Sequence, residues 1–151
     1  MSAYVAVVGP GDATAKESEA AATVGRALAQ AGAIVVTGGL GGVMEAACRG
    51  ARDAGGLTVG ILPGADRAAA NPAVTVALPT GLGELRNGLV IRSADAVVAV
   101  GGAYGTLSEV ALALKTGVPV VGLSTWEIEG IERVGGPAEA AERAIELAGR
   151  G

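Results

Sequence analysis

Histidine and phenylalanine are absent from this 151-residue sequence, and its aromatic residues are limited to Tyr4, Tyr104 and Trp126. Without histidine, the chain cannot supply a Ser-His-Asp triad, a histidine general base or a histidine metal ligand. With so few aromatic residues, the core has to be built from Val, Leu, Ile and Ala. We expect no metal site and no required cofactor.

Cysteine is nearly absent too, since Cys48 is the only one. No disulfide can form within the chain, which is typical of proteins from a reducing compartment. The first residues lack the charged and apolar regions of a secretion signal, and no apolar run approaches the ~18 residues of a membrane span. We therefore expect a cytoplasmic protein with no membrane partner.

An excess of positive charge is also missing. The formal net charge is -4 and the sequence pI is near 4.8. Nucleic-acid binding depends on clustered Lys and Arg facing phosphates, so we expect no nucleic-acid partner. A small anion is compatible with this charge, because backbone N–H groups bind phosphate without basic side chains.

Short apolar runs rich in β-branched residues alternate with segments of helical length. This alternation predicts one α/β domain over residues 1–151, with a doubly wound parallel sheet. The six predicted strands cover residues 4–8, 34–37, 58–62, 74–78, 96–100 and 119–123. Residues 65–72 and 124–136 are predicted to be longer loops, of a kind that often borders a site.

Apolar residues spaced at i, i+3, i+4 and i+7 predict three helices, each with one buried stripe. The stripes are Val24, Ala27, Leu28 and Ala31; Leu107, Val110, Ala111 and Leu114; and Ala141, Ala144, Ile145 and Ala148. Residues 42–54 and 82–94 are predicted to form two further helices.

The 26 glycines gather in the loops that follow the predicted strands. The first loop contains Gly9 and Gly11, but Thr14 stands where a dinucleotide-binding G-x-G-x-x-G pattern has its third glycine, which disfavours an NAD-dependent dehydrogenase. Thr14 and Glu17 instead have the spacing of a capping box. Gly9 and Gly11 are still expected to bind the ligand together with the glycines of the next two loops.

The second loop follows the second predicted strand and runs directly into a helix. Its residues include Gly38, Gly39, Gly41, Gly42, Met44 and Glu45. So many glycines favour a backbone that approaches an anionic ligand closely. The alternative is a tight turn that only packs the helix on the sheet.

The third loop contains Gly101, Gly102, Tyr104, Gly105 and Thr106, with Glu109 three residues further on. Thr106 and Glu109 have capping-box spacing, a purely structural role. In the functional alternative, the Thr106 hydroxyl and the loop N–H groups face a phosphate, and Glu109 acts as an acceptor or base.

Arg86 and Asn87 lie near the start of the segment that precedes the fifth strand. From there the Arg86 guanidinium could reach the glycine-rich loops that follow the strands and bind a phosphate through two hydrogen bonds. A lone arginine is more often solvated. Trp126 has two interpretations as well, since it could border the pocket or pack its own loop.

Taken together, the segments Gly38 to Glu45, Arg86-Asn87 and Tyr104 to Glu109 resemble the superfamily of molybdenum cofactor carrier proteins and LOG phosphoribohydrolases. The resemblance implies a three-layer α/β/α Rossmann-like fold with sheet order 3-2-1-4-5-6, assembled as a homodimer or homotetramer. It does not imply a true lysine decarboxylase, a label often given to such proteins in error.

In the hydrolases, which cleave nucleoside monophosphates, the residues matching Arg86 and Glu109 are catalytic, and those matching Gly105 and Thr106 bind phosphate. Two departures favour the carriers: Asn87 replaces an expected Lys, and Ala103 ends a segment expected to be Pro-Gly-Gly. The leading hypothesis is therefore a binding protein for a phosphate-bearing, nucleotide-like molecule, either a nucleoside monophosphate or a molybdopterin-type ligand. The alternatives are a phosphoribohydrolase and a structural or regulatory oligomer with a vestigial pocket.

Overall fold

The computed structural model describes residues 1–149. The strands are β1 (Tyr4–Val8), β2 (Ile34–Thr37), β3 (Thr58–Leu62), β4 (Val76–Pro79), β5 (Ala96–Val100), β6 (Val120–Leu123) and β7 (Glu132–Arg133). The helices are α1 (Ala15–Gln30), α2 (Val43–Asp53), α3 (Arg86–Arg92), α4 (Tyr104–Thr116) and α5 (Pro137–Ala148). Two single 3₁₀ turns cover Arg67–Ala69 and Gly83–Leu85.

The strands form one parallel sheet in the order β4-β3-β2-β1-β5-β6-β7. The predicted fold class is confirmed. The predicted order 3-2-1-4-5-6 is close to the observed one, but it places the fourth strand beside the first, whereas β4 pairs with β3 at the edge and β5 lies beside β1. Strand order reverses between β1 and β5, and in such sheets ligands bind beyond the carboxyl ends of the strands at this reversal.

The two faces of the sheet carry different helices. Val5 and Val7 on β1 point into a core shared with α1, α2 and α5. Ala6 and Val8, which alternate with them, point into the core beneath α3 and α4. This alternation produces the three layers, and it explains why the central strands are apolar at nearly every position.

The predicted strands match the observed ones closely at the centre of the sheet and less well at its edges. The fourth runs from Val76 to Pro79 instead of 74–78, and the sixth begins at Val120 instead of residue 119. Strand β7 lies inside the predicted loop 124–136. Its two charged residues, Glu132 and Arg133, carry no apolar pattern that could have revealed it.

The capping box of α1 is confirmed, because the Thr14 hydroxyl accepts from Glu17 N–H and the Glu17 carboxylate accepts from Thr14 N–H. The predicted stripe of α4 is wrong in part. Its buried residues are Thr106, Glu109, Val110 and Ala113, and Ala111 is exposed. The helix is rotated so that two polar residues turn inward.

One other predicted stripe and one predicted helix also need correction. On α1, Val24 and Leu28 are buried, but Ala31 lies beyond the helix and is exposed. Helix α3 is shorter than the predicted helix 82–94, because Gly83, with φ +60°, begins a separate 3₁₀ turn.

Over the described residues, no helix combines the length and apolar character needed to cross a membrane.

Candidate functional site

A cleft of about 200 Å³ lies at the carboxyl ends of the central strands, where the strand order reverses. Nine residues predicted to bind a ligand line it: Gly9, Gly11, Gly38, Met44, Arg86, Asn87, Gly105, Thr106 and Glu109. Val7, Val8, Pro10 and Ala103 complete the lining and were not predicted. Pro10 and Ala103 could have been found as direct neighbours of the glycines in their loops.

Thr106 does not cap its helix, so the predicted second capping box is wrong. Helix α4 begins at Tyr104 with Ala103 at the N-cap position, and no side chain caps its first turn. Thr106 therefore lies inside the first turn, where its side chain is 1% exposed. Its Oγ1 has no hydrogen-bond partner among the described residues, and such a buried unpaired hydroxyl costs roughly 1–3 kcal/mol.

The first turn of α4 offers further donors beside this hydroxyl. The backbone N–H groups of Tyr104, Gly105 and Thr106 precede the first residue that can bond within the helix. Leu107 N–H is the first to find a partner, the Ala103 carbonyl. A helix N-terminus of this kind attracts anions through its free N–H groups and its dipole.

Gly105 keeps the space in front of these donors open. A Cβ atom at this position would meet nothing within 4 Å, and no left-handed φ requires glycine there. Gly11, across the cleft, is almost as free, because a Cβ there would meet only the Met44 methyl group at 3.9 Å. Neither packing nor backbone conformation accounts for these two glycines.

Arg86 holds the opposite wall of the cleft. Its Nε donates to the Ile61 carbonyl at 2.9 Å, and Nη2 donates to the Gly38 carbonyl at 3.4 Å. Nη1 donates to Asn87 Oδ1. Partial burial lowers the pKa of Arg86 from its ordinary value, but an arginine stays charged at neutral pH. The guanidinium is therefore a fixed cation between the ends of β2 and β3.

Glu109 lies in the same cleft on α4 and is 8% exposed. Burial raises the pKa of Glu109 to about 7, and the positive charge of Arg86 acts in the opposite direction. Among residues 1–149, no ion pair within 4 Å joins the two side chains. Near neutral pH the carboxyl group is present in both protonation states, so it can donate or accept a hydrogen bond.

Seven predicted binding residues do not line the cleft: Gly39, Gly41, Gly42, Glu45, Gly101, Gly102 and Tyr104. Gly42 and Gly101 have left-handed φ angles of +64° and +69°. A Cβ at Gly42 would lie 2.3 Å from the Pro10 carbonyl oxygen, and one at Gly101 would meet the Glu17 carboxylate. Packing and backbone conformation explain these glycines without a ligand.

Glu45 faces a separate surface depression with Arg49 and Arg52, away from the cleft. Tyr104 is exposed at the start of α4, where its ring stacks on that of Trp126. Ligand binding by these residues stays a prediction, and their positions in the fold do not favour it. Tyr104 is the exception, because it lies at the edge of the site.

The parallel sheet and the cleft at its reversal define a Rossmann-like α/β protein. The model of the SLOG cluster4 family matches residues 2–146, and the chain belongs to this family. The chain is 39% identical over 142 residues to a protein from Archaeoglobus fulgidus, with 93% of each chain covered.

Two solved structures are similar over almost their whole length. The molybdenum cofactor binding protein of the phototrophic bacterium Rippkaea orientalis is 36% identical with a TM-score of 0.90, covering 97% of this chain and 96% of that one. The molybdenum cofactor carrier protein of Chlamydomonas reinhardtii is 35% identical with a TM-score of 0.90, covering 99% of both chains. The predicted resemblance to the carrier proteins is confirmed.

Proposed function

We propose that this protein binds a phosphate-bearing small molecule in the cleft beyond the carboxyl ends of β1 and β5, and that its ligand is the molybdenum cofactor or a close relative of it. One observation carries the proposal. The Thr106 hydroxyl is buried without a partner in the uncapped first turn of α4, within the cleft. A bound phosphate would accept hydrogen bonds from this hydroxyl and from the N–H groups beside it.

The charges around the cleft support an anion. Arg86 is a fixed cation on one wall, and the helix dipole contributes partial positive charge on the other. Glu109 is the one acidic residue lining the cleft within residues 1–149. Because its pKa is near 7, it can take up a proton when a phosphate approaches, which removes the repulsion between two anions.

The choice of the molybdenum cofactor among phosphate-bearing ligands rests on the similarity of this chain to proteins of known structure. Both solved relatives are described as proteins that bind or carry the molybdenum cofactor, whose pterin bears a phosphate. A nucleoside monophosphate offers the same phosphate and a flat ring of similar size, so it serves as an accessible probe of the site.

Native mass spectrometry of protein freshly purified from a host that synthesises the cofactor tests the proposal. We expect a retained ligand with the mass of a molybdenum-bearing phosphopterin, which is lost in Thr106→Val. The proposal fails if the protein carries no ligand and if neither AMP nor inorganic phosphate raises its melting temperature.

A phosphoribohydrolase is the second candidate. The observation that favours it is Glu109, a carboxyl group with a pKa of about 7 in the same cleft as Arg86. In this alternative, Glu109 stabilises the oxocarbenium-like state of N-glycosidic cleavage and Arg86 positions the nucleotide. Steady release of adenine from AMP, abolished in Glu109→Ala, would favour the enzyme, and its absence would favour the carrier.

We also propose that the protein assembles as a homodimer or homotetramer. Leu82, Leu85 and Leu89 lie on the segment that leads into and along α3, and they are 47%, 77% and 40% exposed. Leucines this exposed on one short segment indicate an apolar surface suited to a second copy. The subunit number from the same mass spectra tests this, and a Leu85→Glu variant should shift the population toward monomers.

A further inference from the structure

Two of the three aromatic residues of the chain lie together at the start of α4. The ring centroids of Tyr104 and Trp126 are 6.3 Å apart, and the ring planes are inclined by 26°. Tyr104 is 84% exposed. The Tyr104 ring therefore lies beside the indole, roughly parallel to it, with most of its surface in water.

Trp126 is held firmly beneath it. Its Nε1 donates to the Ala103 carbonyl at 3.1 Å. A Cβ at Gly102 would lie 3.1 Å from the same nitrogen, so a glycine at this position lets the indole approach the backbone closely. The loop after β6 thereby fixes the indole against the loop between β5 and α4.

Tyr104 makes no comparable contact. Its hydroxyl group has no hydrogen bond within residues 1–149, although a tyrosine that serves packing usually buries its ring and pairs its hydroxyl. A ring this exposed buries little surface against Trp126, so packing does not account for an aromatic residue at this position.

The pair is next to the cleft. Ala103, whose carbonyl anchors the indole, lines the cleft, and Tyr104 follows it directly as the first residue of α4. Helical side chains tilt toward the N-terminus of their helix, so the Tyr104 ring projects beyond the start of α4. The free N–H groups of the first turn open at the same end.

We propose that Tyr104, backed by Trp126, stacks against the flat heteroaromatic ring of a ligand whose phosphate binds at Thr106. The inference rests on the proposed function and adds a residue that determines specificity. Thr106 and its neighbours bind the phosphate and do not distinguish one phosphate ester from another. Tyr104 favours esters that carry a purine- or pterin-like ring over simple sugar phosphates.

The test measures the dissociation constants of AMP and ribose 5-phosphate, which share the phosphate and sugar and differ in the ring. Wild type should prefer AMP. In Tyr104→Ala this preference should fall about tenfold, because stacking of a base on an aromatic side chain contributes an effect of that order. Tyr104→Phe should keep the preference, since it retains the ring.

Two controls separate the role of the ring from other effects. Tyr4→Ala removes an exposed tyrosine at the amino end of β1, away from the cleft, and should leave the preference for AMP unchanged. Thr106→Val should weaken both ligands by the same factor. An unchanged preference in Tyr104→Ala, or equal affinity of wild type for the two ligands, would overturn the stacking role alone. Failure of wild type to bind either ligand would overturn the phosphate site itself.

Discussion

The loops that lead into α2 and α4 look alike in sequence, since both are rich in glycine and both join a central strand to a helix. In the structure they differ. In the first loop, Gly39 and Gly42 have left-handed φ angles, and a Cβ at either would collide with a neighbour. The second loop has one such glycine, Gly101, but Gly105 in the first turn of α4 has ordinary φ and open space around it.

The helix starts differ in the same way. The first N–H of α2 is satisfied, because Val43 N–H donates to the Pro10 carbonyl at 3.0 Å. Neither helix has a side-chain cap, but only the first turn of α4 contains a buried unpaired hydroxyl, that of Thr106. Glycine content alone therefore does not identify a ligand site. A glycine that the fold does not require, beside donors that the fold leaves unpaired, is the stronger indication.

The largest expected effect comes from Gly42→Ala, which tests whether the α2 loop depends on its glycines for folding. The new Cβ would lie 2.3 Å from the Pro10 carbonyl oxygen on a backbone with φ +64°. We expect the free energy of unfolding to fall by about 3 kcal/mol. Urea denaturation measures this, with Gly64→Ala as the control, because a Cβ at Gly64 would meet nothing within 4 Å. Equal denaturation midpoints for Gly42→Ala and Gly64→Ala would mean that the α2 loop does not depend on this glycine for folding.

Glu109→Gln tests the electrostatics of the α4 site. The folded-state pKa of Glu109, about 7, is above its ordinary value of 4.5. Stability is therefore fully present below about pH 4.5 and is lost as pH rises through 7, by at most about 3 kcal/mol. The glutamine variant should be more stable than wild type at pH 8, and the difference should vanish toward pH 5.

Denaturation at pH 5, 7 and 8 provides the measurement for Glu109→Gln. Glu142→Gln, on the exposed side of α5, is the matched control and should keep the pH profile of wild type. A profile that is the same in wild type and Glu109→Gln would mean that the carboxyl group of Glu109 is not desolvated as its burial implies.

Thr106→Val separates stability from binding at α4. Valine keeps the shape of threonine and removes the unpaired hydroxyl, so the free energy of unfolding should rise by about 1 kcal/mol. Phosphate binding should weaken at the same time. Thr125→Val is the matched control, because Thr125 Oγ1 is also buried without a partner but does not line the cleft. Equal loss of binding in both variants would contradict the assignment.

Gly105→Ala should have the smallest effect on stability. Alanine is the better helix former, and a gain of up to about 1 kcal/mol is expected. Its Cβ would fill the open space in front of the donors, so phosphate binding should be lost, as titration calorimetry would show. Gly88→Ala on α3 should give a similar gain with binding intact. Full binding by Gly105→Ala would mean that the ligand does not approach this turn.

The sequence predicted the centre of the fold well because strands buried on both faces leave unbroken apolar runs, as in β1 and β5. It missed β7, because pairing at a sheet edge uses the backbone and leaves no trace in two charged side chains. It also misplaced the start of α4. Thr106 and Glu109 have the spacing of a capping box, but the same spacing occurs wherever two residues share a helix face.

The sequence predicted which loops form much of the candidate site. It did not predict which residues of those loops line the cleft and which serve packing. Whether a glycine is needed for packing depends on what lies against it, as the contact between Gly42 and Pro10 shows. That contact joins two loops that are distant in sequence. Ala103 carried a useful signal. Alanine is a poor N-cap residue, so an alanine just before a long helix indicates a first turn whose N–H groups are left for other partners.

A crystal structure of the protein with AMP tests the central claim most directly. We predict a phosphate oxygen within about 3 Å of Thr106 Oγ1 and of the Gly105 and Thr106 backbone nitrogens, with the Arg86 guanidinium on the opposite wall. A phosphate bound elsewhere, such as beside Arg49 and Arg52 on the outer face of α2, with the first turn of α4 empty, would contradict it.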